Sequence, residues 1–246
     1  IWKQRLLIRN ANKLILYSTD LLTSKYLDIK NQAIFIESRR NKVIVFHYSD
    51  SNITVTTHDI SSFTPPTQPS TKKLALQKLN FSPDFYEIDA GKDEIILVDK
   101  ALKRIFWWSI KHKKYTKQLA LKAAPITMTH AEMQGKLYLG YADGSVSYID
   151  TKTKNTIEKP FATVARGVAS VVSINNALVV IDTAGQFVSF NQSGALVDYI
   201  ETERLYFDYT WDPIFKHIIY TTIPTSYSIH SLEFDSEKGL FGDINK

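Results

Sequence analysis

A repeat of about forty residues is the feature that most constrains the fold of this 246-residue chain. Short runs rich in β-branched and aromatic residues occur in pairs, and a turn-like stretch separates the two runs of each pair, as in antiparallel hairpins. Successive steps between the pairs are 61, 42, 41 and 40 residues. The matching positions in the first run of each pair are Ile34, Ile95, Leu137, Leu178 and Ile218.

The long first step contains residues 61–82, a segment rich in Ser, Thr, Pro and Lys. That composition is typical of an extended, solvated loop, and the period holds throughout if the segment is an insertion of about 20 residues. It is the most distinctive loop of the chain and the best candidate for a specific contact, with an inert excursion as the alternative. The candidate binding residues in it are Phe63, Pro65, Pro66, Lys72 and Lys73.

Each unit also contains a strand before the hairpin, and the first four units have a weaker strand after it. Four strands in about 40 residues is the pattern of a β-propeller blade. One four-stranded antiparallel sheet cannot bury both faces, whereas radial packing of several such sheets does. A β-sandwich needs only seven to nine strands in roughly 100 residues. About twenty strands that recur in groups of four therefore favour the propeller.

The number of blades depends on the two ends of the chain. Five full units follow an N-terminal piece, residues 1–25, and the last unit has a poor fourth strand at 239–244. The N-terminal piece is ambiguous between strands and a short helix. It either supplies a ring-closing strand to the final blade or belongs to a further blade. We predict a single all-β domain over residues 1–246, a propeller with six blades, with five to seven left open.

Two segments resemble blades of known propeller groups. Residues 135–150, GKLYLGYADGSVSYID, resemble a hairpin of the pyrroloquinoline-quinone-like propellers and also a WD-repeat. Residues 208–213, DYTWDP, followed by IIYTT at 218–222, resemble the YWTD or NHL propellers and segments of large surface or secreted proteins of marine bacteria. Together these resemblances imply a propeller. They carry over no cofactor, substrate or site residue, because fold alone does not give function.

Composition removes several kinds of chemistry. The chain has no Cys, which excludes disulfides, Cys-ligated metals and a cysteine nucleophile, and its 9 Gly form no phosphate-binding loop. The six His show no metal-ligand spacing, so we predict no metal site and no cofactor. Asp89 with Asp93, and Asp208 with Asp212, are the carboxylate pairs a glycosidase would use. Both pairs lie where strands meet turns, where Asp commonly bonds the local backbone, so we predict no catalytic residue.

The net charge of +5 does not form a continuous basic stripe. Basic runs at 39–42 and 111–114 fall at predicted hairpin turns, where solvated Lys is ordinary. Trp107 and Trp108 precede the second run, and adjacent strand residues point to opposite faces, so we expect both rings to be buried between neighbouring blades. We predict no nucleic-acid partner. No apolar run approaches the roughly 18 residues that span a bilayer, so we predict no membrane insertion.

The preferred function is a non-enzymatic module that binds a protein, a small molecule or a glycan. Because Cys is absent and the sequence begins with Ile1, we expect an extracytoplasmic domain (periplasmic, cell-surface or secreted) of a larger bacterial surface, secreted or sensor protein. One alternative is a propeller enzyme, a hydrolase or lyase acting on a glycan, with residues around a central channel. Convergence of three or more Asp, Glu, His or Arg side chains at one channel mouth would favour it. The other alternative is an intracellular WD-repeat-type scaffold.

Overall fold

The structure is a computed structural model, and it describes part of the backbone. The described residues are 5–10, 13–18, 24–28, 33–39, 42–49, 52–59, 70–74, 84–89, 92, 94–109, 112, 114–131, 133–153, 157–202, 206–212, 215–222 and 228–242. Side chains are described only from residue 84 onward. Within these residues every regular element is a β-strand, as predicted. None of them forms a helix long and apolar enough to cross a membrane.

The chain divides into two compact units, residues 1–82 with 109–115 and residues 83–108 with 116–246. The strands of the first unit are β1 (Arg5–Asn10), β2 (Lys13–Ser18), β3 (Ser24–Asp28), β4 (Ala33–Arg39), β5 (Lys42–Ser49), β6 (Asn52–Asp59) and β7 (Ser70–Leu74). They pair antiparallel in two sheets, β1-β2-β3 and β4-β5-β6-β7. Within the N-terminal piece, residues 5–10 and 13–18 are therefore strands rather than a short helix.

The second unit consists mainly of four sheets of four antiparallel strands, each in sequence order. Their strands are β8 (Phe85–Asp89), β9 (Glu94–Asp99), β10 (Arg104–Ser109), β11 (Lys114–Ala120), β12 (Thr127–Ala131), β13 (Lys136–Gly140), β14 (Ser145–Asp150), β15 (Glu158–Thr163), β16 (Val168–Ile174), β17 (Ala177–Asp182), β18 (Gln186–Phe190), β19 (Leu196–Glu201), β20 (Tyr206–Asp212), β21 (His217–Thr222), β22 (Ser228–Asp235) and β23 (Leu240–Phe241). The grouping and order of these sixteen strands agree with the predicted four-strand units.

The division of the first unit differs from the prediction. The sequence placed residues 26–29 in the same unit as β4, but β3 pairs with β2 and ends the three-stranded sheet. The fourth strand beside β6 is β7, which lies inside the segment 61–82 that the sequence assigned to an inserted loop. Residues 70–74 of that segment are therefore strand, because they complete the hydrogen bonding of β6. The remainder of the segment lies outside the described residues.

Three apolar cores lie between successive sheets of the second unit. Ile96, Trp107 and Leu137 belong to the core between β8–β11 and β12–β15. The next two cores lie on either side of the sheet β16–β19. All six residues of β17 are buried because its alternate side chains enter both cores. This two-sided burial explains why the central strands read as continuous apolar runs, whereas β11 alternates between exposed and half-buried positions.

Glycine is the last residue of the turns that join β13 to β14 and β17 to β18. Gly144 N–H donates to the carbonyl of Tyr141, and Gly144 has a φ of +83°. A Cβ at this position would lie 2.6 Å from the backbone oxygens of Val164 and Arg166. Gly185 repeats the arrangement by donating to Asp182, with a φ of +86°. Each glycine closes a turn whose last residue is left-handed, which only glycine adopts without strain.

Candidate functional site

The binding residues predicted in the segment 61–82 are only partly described. Phe63, Pro65 and Pro66 lie outside the described residues. Lys72 and Lys73 lie on β7, opposite Val55 and Thr54 of β6. These two lysines therefore occupy a hydrogen-bonded edge strand of the sheet β4–β7 rather than a loop, and their role in binding stays a prediction.

The two carboxylate pairs considered from the sequence are likewise only partly described. Asp93 lies outside the described residues, and Asp208 and Asp212 are described only as backbone positions on β20. Asp89 ends β8 and is 4% exposed. Its Oδ2 lies 3.2 Å from Nζ of Lys92, three residues along the chain.

Asp89 belongs to a group of ionisable side chains that we name the carboxylate–histidine cluster: Glu87, Asp89, Lys92 and His130. β8 and β12 contact each other, and Nε2 of His130 lies 3.9 Å from Oδ2 of Asp89. The side chains of His130 and Asp89 are only 2% and 6% exposed. Lys92 donates to the carbonyl of Thr151, which ties β8 to the sheet β12–β15. Asp89 and the side chain of His130 are therefore enclosed by protein, whereas Lys92 is exposed.

Glu87 is the strongly perturbed acid of this cluster. Glu87 and Asp89 are two residues apart on a strand and so face the same side. Burial raises the pKa of Glu87 from 4.5 to about 7, and this is opposed by a hydrogen bond from the backbone N–H of His130. A carboxyl group with such a pKa exchanges protons near neutrality, which is the property of a general acid or base. Among the described residues no group of three or more His, Asp or Glu is placed to hold a metal ion.

The tryptophan pair is buried as expected, since Trp107 and Trp108 are both 0% exposed. The Nζ of Lys117 lies 4.6 Å from the ring centroid of Trp107. Burial is the largest influence on Lys117 and lowers its pKa, while Glu94 acts in the opposite direction. This lysine covers an aromatic ring at the sheet edge, which is a structural use of a basic residue.

A polar cleft opens elsewhere in the second unit, between the sheets β16–β19 and β20–β23. Its volume is about 450 Å³, within the range of small-molecule sites. Residues of three hairpin turns line it, together with one apolar residue from each of β17, β18 and β19. We name it the amide cleft; its lining residues are Asn176, Ala177, Phe190, Asn191, Gln192, Ser193, Val197, Glu237, Lys238 and Gly239.

Local hydrogen bonds hold each of these turns in shape. The Oδ1 of Asn191 accepts from the N–H and hydroxyl of Ser193 and from the N–H of Ala195, at 3.0, 2.7 and 3.1 Å. The Oδ1 of Asp235 accepts from the N–H groups of Glu237 and Lys238. Bonds to the backbone N–H of Lys238 are the main reason that the pKa of Asp235 is lowered. Such side-chain caps are the standard use of Asn and Asp in turns.

Further bonds join the turns to one another. Nδ2 of Asn175 donates to the hydroxyl of Ser236 at 2.7 Å, and Ser236 is 4% exposed. The hydroxyl of Ser189 donates to the carbonyl of Gly239. The rim of the cleft is therefore fixed by contacts between the two sheets rather than by the turns alone.

A smaller cavity of about 190 Å³ lies on the other side of the turn at 175–176. His130, Met133, Gln134 and Asn175 are among its lining residues. Nε2 of Gln134 donates to the carbonyl of Asn175 at 2.9 Å. Amide groups thus connect three successive sheets along one edge of the second unit.

Sequence reasoning missed the amide cleft. Charged groups and catalytic motifs do not point to it, because its polar lining comes mainly from neutral turn residues of three separate hairpins, with Glu237 and Lys238 as the charged members. The signal available was the location of amides and Ser at equivalent turns, at 175–176 and 191–193. Their function as turn formers hides that signal, because Asn and Ser are ordinary there.

No protein-family model and no curated protein matches this sequence. Solved structures are similar in fold. The chain matches hydrazine synthase of Kuenenia stuttgartiensis at 13% identity with a TM-score of 0.60, over 83% of this chain and 64% of that one. It therefore spans less than two thirds of the hydrazine synthase chain.

Two further structures are similar over nearly the whole sequence. A chain of the mitotic checkpoint complex matches 95% of this chain and 71% of its own, at 13% identity and a TM-score of 0.60. A functionally unknown protein from Desulfotomaculum acetoxidans DSM 771 matches 97% of this chain and 78% of its own, at 12% identity and 0.68. Hydrazine synthase and the checkpoint complex have propeller domains. At these identities the likeness concerns fold alone, and it supports an all-β, β-propeller-like fold for this chain.

Proposed function

We propose that this chain is a non-enzymatic β-propeller module that binds a polar ligand in the amide cleft. The observation that carries the proposal is the cleft itself. It is a concave space of about 450 Å³ whose rim is fixed by hydrogen bonds between two sheets. Ligand sites are typically preformed concavities with a few placed polar groups on an apolar base, and the cleft has this composition.

The proposal includes six blades. Among the described residues the strands form six sheets, one of three strands and five of four. β12 contacts both β8 and β16, as first strands do when they surround a common axis. On this proposal the three-stranded sheet β1–β3 counts as one of the six blades.

We also propose the setting expected from the sequence: an extracytoplasmic domain of a larger bacterial surface, secreted or sensor protein. The support is the absence of Cys, which suits an exported bacterial protein. A protein, a small molecule or a glycan are the ligand classes considered.

A propeller enzyme is the second candidate, because His130 contacts Asp89 and its backbone N–H bonds to Glu87. Glu87 has the pKa of a proton-transfer group. Asp89 and the His130 side chain are almost wholly buried, however; the larger cleft includes none of the three, and the smaller cavity includes His130 but neither carboxylate. A hydrolase needs its acid and base beside the substrate, so this arrangement favours binding without reaction.

The test is a binding screen of the whole chain against arrays of glycans and peptides, followed by mass analysis of any ligand that binds. The matched variant is Ser193→Trp, which places a large ring at the exposed rim of the cleft. We expect a ligand that binds the natural chain, is recovered unchanged and is lost in the variant. A ligand that Ser193→Trp still binds would place the site elsewhere. A chemically altered ligand, with turnover abolished by Glu87→Gln, would establish the enzyme.

A further inference from the structure

We infer that the amide cleft binds a neutral, polyhydroxylated ligand, namely a saccharide ring that presents neighbouring hydroxyl groups. This inference rests on the proposed binding function and specifies its ligand. It depends on the arrangement of hydrogen-bonding groups in the cleft, on its charge and on its apolar base.

The key pair is Asn176 and Gln192, which lie on turns at the ends of different hairpins. Nε2 of Gln192 donates to Oδ1 of Asn176 at 2.9 Å, so each amide fixes the other. Within the described part of the chain, Nδ2 of Asn176 and Oε1 of Gln192 have no partner, and both residues are exposed. The pair therefore presents a donor and an acceptor side by side.

A donor beside an acceptor fits two neighbouring hydroxyls, because each hydroxyl both donates and accepts. The carboxylate of Glu237 at the rim adds an acceptor for a third hydroxyl. Simple anions are a poor match, since Glu237 would repel them and Nζ of Lys238 lies 3.6 Å from Asp235. Simple cations are a poor match as well, since Glu237 is the only acid among the lining residues.

The apolar base of the cleft suits the other surface of a sugar. Ala177 and Phe190 are buried to 3% and 4% exposure, and Val197 is half-buried beside them. Saccharide rings present C–H groups on their faces and hydroxyls at their edges. A base of aliphatic and aromatic carbon with amides along the rim matches both surfaces at once.

The experiment is an NMR titration of the uniformly ¹⁵N-labelled full chain with cellobiose, lactose and chitobiose, with inorganic phosphate and a pool of neutral peptides as separate arms. Side-chain amide signals report directly on Asn176 and Gln192. We expect at least one disaccharide to shift both signals, and phosphate to shift neither. The double variant Asn176→Ala with Gln192→Ala should weaken that affinity about tenfold, the sum of two modest hydrogen bonds.

The matched control is Gln186→Ala, at the opposite end of β18 from the cleft, where the amide contacts Glu201. It should leave disaccharide affinity unchanged. If peptides shift the cleft signals and disaccharides do not, the saccharide inference is wrong and the binding function stands. If no arm shifts them, both are wrong. Phosphate binding in place of sugar would also overturn the inference. So would a disaccharide whose affinity is the same for the natural chain and the double variant.

Discussion

The carboxylate–histidine cluster and the amide cleft are two polar regions of the same unit with opposite designs. The cluster contains ionisable groups, and two of them are almost wholly buried: the side chains of Asp89 and His130 are 6% and 2% exposed. The cleft contains mainly neutral amides and is open, with Asn176 and Gln192 exposed at its rim. Buried charges must be matched by partners and affect stability strongly, whereas exposed amides affect it little and remain available to a ligand.

The contrast assigns different roles to the two regions. Perturbed acids are usual indicators of function, but here the perturbed acid lies among its partners and away from the larger cleft. Removing groups from the cluster should therefore change folding, and removing groups from the cleft should change binding. Four sets of substitutions test this division.

The largest expected effect is that of Asp89→Ala. The change removes a buried carboxylate that lies beside the exposed Lys92 and the buried ring of His130, and leaving a buried polar group without such a partner costs up to about 3 kcal/mol. Urea denaturation measures the free energy of unfolding. The control is Asp235→Ala, which removes a second Asp–Lys pair with the same three-residue spacing but with side chains 39% and 72% exposed. A much smaller loss is expected there, and equal losses would contradict the contrast in burial.

Glu87→Gln should change how stability depends on pH. Burial raises the pKa of Glu87 to about 7 in the folded chain, so the folded state holds its proton longer than the unfolded state does. Its contribution is fully present below pH 4.5 and is lost as the pH rises to about 7. The loss is at most about 3 kcal/mol.

The variant should remove this part of the pH profile and be more stable than the natural chain at pH 8. Asp89, Lys92 and His130 surround the position in both proteins, so their contributions are common to the two profiles. Glu94→Gln, the same change on the adjacent strand, is the control. Parallel profiles for Glu87→Gln and the natural chain would show that burial does not perturb this carboxyl.

The fold was largely predictable from sequence where each unit repeats without interruption. Hairpin positions such as Leu137 and Leu178 lie on the predicted strands because central strands buried on both faces read as apolar runs. Prediction failed for residues 70–74, since four of the five residues of β7 are polar and the segment resembles a loop. An outer strand needs only backbone pairing to one neighbour, so its sequence carries little apolar signal.

The sites were less predictable for a different reason. The closeness of His130 to Asp89 depends on the packing of one sheet on the next, and their separation of 41 residues carries no motif. The amide cleft likewise combines Asn176, Gln192 and Glu237 from three hairpins. Only the repeat period could have indicated that such turns share one edge, and it does not distinguish a ligand-binding amide from a turn former.

Asn175 lies between the two regions and should give an intermediate effect. Its φ is +50°, and its side chain donates to the buried hydroxyl of Ser236. Asn175→Gly removes the hydrogen bond without backbone strain and should cost about 1 kcal/mol. Asn175→Ala adds the strain of a left-handed residue, roughly another 1 kcal/mol. Thermal unfolding of the Gly and Ala variants separates the cost of the lost hydrogen bond from the cost of backbone strain. Identical melting temperatures would show that the backbone at 175 is not strained.

The smallest effects on stability are expected at the cleft itself. Asn176→Ala and Gln192→Ala remove exposed side chains that bond chiefly to each other, so each should change the free energy of unfolding by less than about 0.5 kcal/mol. Urea denaturation of the two single variants and the double variant gives their coupling, which should also be small because solvent replaces the lost partner. A loss above about 1 kcal/mol in either single variant would make the amides structural supports. Because a sealed polar group cannot be removed at so little cost, a near-neutral result at these two residues, beside a large loss at Asp89, would assign stability to the cluster and leave the amides available for recognition.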